Sequence, residues 1–271
     1  MILVVLVVVV AVSVGIAVWF RRRVQIDLGP LPWDLADAAR RQITLLTTQG
    51  AVAVTALVLL VTFSSKNAVQ RDSFDTVVVM FLVAFLWFFG VAIEFAYLPL
   101  EGAAEGLLLP RVLYVAAGIQ HYRTLFVSWL ALIPLVETFD LAEPAVLLRW
   151  LLGVAVLTGW LIVASVCYRA GVLGFREAIL MPGGGILTAV LLNLVLGGFV
   201  PAGGFRDALL LTLVIFGLNV VSFGLQAVAP MIYRWRGHQL IERFCRPFVV
   251  ADLQAGNITL ALLWVALLQP V

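Results

Sequence analysis

Uninterrupted apolar runs of membrane-spanning length constrain this chain more than any other feature. Ile2–Phe20 and Ile43–Phe63 contain no charged side chain, and Asp75–Leu98, Ala145–Cys167 and Asp207–Ile232 are nearly as apolar. A helix crossing roughly 30 Å of hydrocarbon needs about 20 such residues. Lipid offers no hydrogen bonds, so a backbone exposed to it must satisfy itself as a helix or a closed barrel. Barrel strands alternate polar and apolar positions, and these runs do not. Charged residues make up 12% of the chain, against about 25% in soluble domains. A soluble fold of this size could not hide so much apolar surface. The expected fold is all-α: a polytopic transmembrane helical bundle.

Three shorter runs, Thr124–Val136, Ile186–Val200 and Ile258–Val271, bring the expected number of spans to eight. The sixth reaches adequate length only if it starts near Pro182 or Gly184. The eighth does so only if its helix begins at Phe248, which places Asp252 and Asn257 at the inner headgroup level. Pro32–Gln42 and residues 110–120 are amphipathic and are expected at the inner interface. Arg21, Arg22 and Arg23 follow the first run instead of preceding it. A secretory signal peptide has the opposite order, so this run reads as an uncleaved anchor. With the N-terminus outside and eight spans, the basic residues divide into 13 inner ones and an outer set of Lys66, Arg71, Arg149 and Arg206. That division obeys the positive-inside rule and predicts that both termini lie outside the cytosol. Arg21, Arg22, Arg23, Arg234 and Arg236 are the expected contacts for anionic lipid at the inner face. The net charge of +2 gives no reason to expect nucleic acid.

A shift of 132 residues lays the third span on the seventh and the fourth on the eighth. Asp75 then meets Asp207, Leu86 meets Leu218, Arg111 meets Arg243, and Glu94 meets Gln226. Two four-span units follow, residues 1–144 and 145–271, parallel because four is even. The segments from Phe175 through Pro182, Gly183, Gly184 and Gly185 to Ala189, and from Ala251 through Gly256 and Asn257 to Ala261, resemble the helix starts of the YjfL-like family. These are bacterial inner-membrane proteins with four spans per unit, sometimes duplicated. The resemblance covers Val154–Val271 and implies a fold and a location in the inner membrane, with no activity attached.

Glu94 is the one carboxylate well inside an expected span. An ionisable group there is expensive and marks a functional candidate, unless it reaches the interface or pairs with an inner arginine. Thr212, Asn219, Ser222 and Gln226 form one stripe along the seventh span at helical spacing. The stripe could line a polar pathway or hold helices together by hydrogen bonds of about 0.6 kcal/mol each. Pro182, Gly183, Gly184 and Gly185, with Gly256 and Asn257, read as hinges or helix starts whose free N–H groups could face an anion. Gly197, Gly198, Gly217 and Gly224 read as close-packing points between helices. Arg149 is expected to snorkel to the outer headgroups or to pair with Glu143. His121 and His238 fall in different loops, Cys167 and Cys245 on the inner side, and no metal-ligand or phosphate-loop spacing occurs. No metal, cofactor or structural disulfide is therefore expected. Three function classes remain: a non-enzymatic scaffold or subunit of a membrane or envelope assembly; a channel or transporter for protons, ions or a small solute, using Glu94 and the polar stripe; and a lipid-modifying enzyme. The expected partners are the bilayer itself and other membrane proteins or further copies of this chain.

Overall fold

The computed structural model describes residues 34–64, 71–101, 108–139, 141–176, 205–236 and 238–268, with single positions 7, 11, 15, 178, 180 and 187. Seven helices follow one another among them: α1 (Leu35–Ser64), α2 (Arg71–Glu101), α3 (Leu108–Leu130), α4 (Leu132–Thr138), α5 (Ala142–Arg169), α6 (Phe205–Arg236) and α7 (His238–Leu268). There is no strand among the described residues. Five stretches are long and apolar enough to cross a membrane: Leu35–Thr62, Phe74–Leu98, Glu143–Arg169, Asp207–Ala229 and Pro247–Leu267. The all-helical, membrane-type fold read from the apolar runs is what the structure has. The runs at Ile2–Phe20 and Ile186–Val200 lie outside the described segments, as do the side chains of Arg21, Arg22 and Arg23.

Local chemistry sets the ends of these helices. Asp34 precedes α1, and its Oδ1 accepts hydrogen bonds from the backbone N–H of Ala36 at 2.8 Å and of Asp37 at 3.3 Å. It thereby satisfies donors that the first helical turn leaves open. α3 stops at Leu130 because Pro134 cannot donate to the Leu130 carbonyl and its ring crowds that oxygen. The chain resumes at once as α4, so the expected fourth span at Thr124–Val136 is split between two helices. α5 ends where Gly171 adopts a φ of 72° and Val172 N–H donates back to Cys167 O at 2.9 Å, a left-handed cap suited to glycine.

Packing follows the apolar periodicity. On α1 the buried positions Ala39, Leu46, Ala53 and Leu60 recur every seven residues, a seam for one partner helix; that partner is α2. α2 turns Val77, Met80, Ala84, Phe88, Val91, Phe95 and Leu98 inward, about one residue per turn along one face. α6 and α7 also pack against each other. The centre is α3, which touches every other described helix. It is absent from the five span-like stretches because it carries Arg111, Gln120, His121, Arg123 and Thr124, all buried. The sequence placed this segment in an inner loop and at the interface. Enclosure explains the difference: Gln120, His121 and Arg123 bond to neighbouring helices and Thr124 to its own backbone, so α3 need not be apolar to be buried.

Candidate functional site

Four helices bring polar side chains to one buried place. α2 contributes Trp87 and Glu94, α3 contributes Gln120 and Arg123, α6 contributes Ser222 and Gln226, and α7 contributes Asp252. Arg123 and Asp252 face each other as a planar bidentate pair, Nη1 to Oδ1 at 2.8 Å and Nη2 to Oδ2 at 2.9 Å. Both side chains are almost wholly removed from solvent, at 0% and 4% exposure. Ser222 Oγ donates to Asp252 Oδ2 at 3.1 Å. It in turn accepts from Gln120 Nε2 at 3.0 Å and from Gln226 Nε2 at 3.3 Å.

Gln120 is the hub, and its orientation is determined. An indole N–H can only donate, so Trp87 Nε1, 3.0 Å away, holds the Gln120 carbonyl oxygen toward itself. The amide NH2 must then point the other way, where it reaches both Ser222 and, at 3.2 Å, Glu94 Oε2. Trp87 is fixed by edge-to-face contacts with Phe216 and Phe223 of α6.

The two carboxylates of this network differ. Asp252 has a guanidinium on both oxygens. Glu94 has one amide on Oε2, while its Oε1 is buried without a hydrogen-bond partner. Glu94 also lines a cavity of about 270 Å³, together with Tyr97, Leu98, Leu113, Phe223, Gln226 and Ala227. Tyr97 is exposed whereas Glu94 is 9% exposed, so the cavity wall runs from an exposed residue to a buried one. Among the described residues Glu94 makes no ion pair, and the guanidinium of Arg123 is taken by Asp252.

The stripe read on the seventh span divides. Ser222 and Gln226 join the network. Thr212 is buried but returns its hydroxyl to Ala208 O at 2.8 Å on its own helix. Asn219 is buried, and its Oδ1 is without a partner. Gly256 and Asn257, read as a helix start, lie well inside the continuous α7. Gly256 has a packing role instead: a Cβ there would stand 2.7 Å from Arg123 Cδ, so its missing side chain makes room for the arginine stem. Gly217 and Gly224, expected at close helix contacts, face open space within 4 Å. Pro182, Gly183, Gly184, Gly185, Gly197 and Gly198 lie outside the described residues. Arg234 and Arg236 end α6, with side chains outside the described part.

Arg149 pairs with Glu137 instead of Glu143, and its carbonyl accepts from Trp264 Nε1 at 2.9 Å. Burial pushes the Glu137 carboxyl above its usual range, opposed by that guanidinium. His121, expected in a loop, is buried in α3 and bonds Gln49 at 2.8 Å. Among the described residues no three His, Cys, Asp or Glu side chains converge as metal ligands would.

The residues that sequence reasoning missed are Gln120, Arg123 and, as a core group, Asp252. For Gln120 and Asp252 the signal was the 132-residue shift itself, which relates the two just as it relates Glu94 to Gln226; Arg123 falls on Ala255 and had none. Compared with known proteins, the chain matches no family model, and neither a curated protein nor a solved structure is similar to it.

Proposed function

We propose that this integral membrane protein is a transporter or channel in which Glu94 exchanges a proton for a cation. The observation that carries the reading is the Glu94 carboxylate, buried with one oxygen unbonded, on a residue that lines a cavity. Of the charged groups in the network, Asp252 and Arg123 cancel each other, and Glu94 is left over. A lone negative charge in a low-dielectric bundle is costly. The site therefore holds one positive charge at a time, either as a proton on the carboxyl or as a monovalent cation beside it. Coupling between two sources of charge at one group is what a transport cycle requires.

The repeat supports this reading. Each of the two proposed four-span units supplies one carboxylate and one amide at equivalent positions, Glu94 with Gln120 in the first and Gln226 with Asp252 in the second. In duplicated transporters the binding site is built at the junction of the two repeats, and this network would be such a junction. Membership of the YjfL-like family and a bacterial inner-membrane location belong to the same proposal.

Reconstituted vesicles test it. Cation-driven proton movement in the wild type should vanish in Glu94→Gln and weaken in Gln226→Leu, while both variants stay folded. Undiminished flux in Glu94→Gln refutes the assignment. A scaffold is the second reading, favoured by the apolar outer face of α5, where Leu147, Trp150, Leu151, Val154 and Leu161 are exposed. Absence of flux together with membrane partners that co-purify would favour it.

A further inference from the structure

The lining of the Glu94 cavity narrows the cargo to a chemical class. A desolvated metal cation needs a shell of oxygens, about six to eight for calcium. Here the residues on the wall that carry a polar side-chain group are Glu94, Gln226 and Tyr97; the remaining lining is Leu98, Leu113, Phe223 and Ala227. At about 270 Å³ the space is far larger than a bare ion and slightly smaller than a pocket for a drug-sized molecule. One anionic oxygen, an amide, two aromatic residues and aliphatic walls match an ammonium group carried on an apolar body. Aromatic faces attract such cations, and the body fills the apolar remainder.

We propose that this cavity binds a small organic monocation, a protonated amine with an aromatic or aliphatic body, with Glu94 as its counter-ion, Phe223 and Tyr97 beside the ammonium, and Leu98, Leu113 and Ala227 against its apolar part. The inference rests on the exchange reading of Glu94 given above. Binding is an ion exchange: the Glu94 carboxyl releases its proton to water, and the resulting carboxylate pairs with the ammonium, which keeps all of its own protons. Asp252 and Arg123, the charged neighbours of Glu94, remain paired throughout. Gln120 holds Glu94 Oε2, and Oε1, buried without a partner, turns to the ligand on binding.

The test is calorimetric titration of the full-length protein in phosphatidylcholine nanodiscs with phenethylammonium, run beside sodium and potassium, with proton release followed in weak buffer. Phenethylammonium should bind and release about one proton. Equal concentrations of sodium or potassium should not displace it. Glu94→Gln should lower affinity at least about thirtyfold, as loss of a buried charge partner does. Phe223→Leu should lower it roughly three- to fivefold, the size of a cation–π contact. Repeating the titration with phosphatidylethanolamine present distinguishes sources: undiminished binding assigns the site to a free amine, and competition assigns the ammonium to a lipid headgroup. Proton release by sodium or potassium without phenethylammonium binding overturns the organic-cation assignment and leaves Glu94 exchange standing. No binding and no proton release with any cation overturns both. Full affinity in a folded Glu94→Gln protein overturns the role of the carboxylate.

Discussion

At the scale of single residues, burial has different consequences for Arg123, Asp252 and Glu94. Arg123 and Asp252 satisfy each other with two short, parallel bonds, an arrangement that combines charge with geometry. A pair of this kind is weak evidence of net stabilisation, because desolvating both ions offsets their attraction. Removing one partner is another matter. Asp252→Asn leaves a guanidinium uncompensated inside the bundle and should cost about 3–5 kcal/mol, read as a lowered unfolding midpoint in detergent. The double substitution Arg123→Met with Asp252→Leu removes both charges and should recover most of that loss; a double variant as unstable as Asp252→Asn would show that the charges themselves are needed. Glu94 was legible as a candidate because a carboxylate inside an apolar run stands out. Asp252 and Arg123 were not, because each lies close to a basic or polar stretch that reads as a membrane edge. Only their contact across 129 residues of sequence makes them interior groups.

At the scale of helices, spacing is decisive. α2 and α6 were readable from their apolar runs to within a few residues, and Asp207–Ile232 lies inside α6. α3 was not readable, because hydropathy averages over a helix and cannot distinguish a polar segment in a loop from a polar segment enclosed by six others. α7 shows the same limitation: its buried polar residues Asp252, Gln254, Asn257 and Thr259 shorten the apparent span to the apolar run after Ile258. Glycine positions in these helices make opposite predictions. Gly256→Ala drives a methyl into the Arg123 stem and should destabilise by about 1–3 kcal/mol, the usual size of overpacking. Gly217→Ala meets open space and should be neutral or stabilise by about 0.5–1 kcal/mol through helix propensity. Thermal unfolding of the two variants side by side checks both. Equal effects would contradict the packing assigned to Gly256.

At the scale of the whole molecule, α3 is enclosed by the other described helices, and the buried charged residues Glu94, Arg111, Arg123 and Asp252 lie on α2, α3 and α7. This arrangement inverts a soluble protein only in its outer layer; the interior still obeys the rule that buried polar groups find partners. Topology across the bilayer is a prediction of the arginine pattern. Single cysteines placed at Ser65 and at Gly237, in a chain without its native ones, should react with an impermeant label from opposite faces, and labelling from one face would contradict the arrangement of spans. The account turns on the distinction between its two buried carboxylates, one structural and one free to exchange charge. The most direct measurement is the unfolding midpoint of Glu94→Gln beside the wild type in the same detergent. Neutralising an uncompensated group should leave stability unchanged or raise it. A fall of about 3 kcal/mol, the loss expected for breaking a buried ion pair, would mean that Glu94 holds the bundle together and would contradict the exchange site.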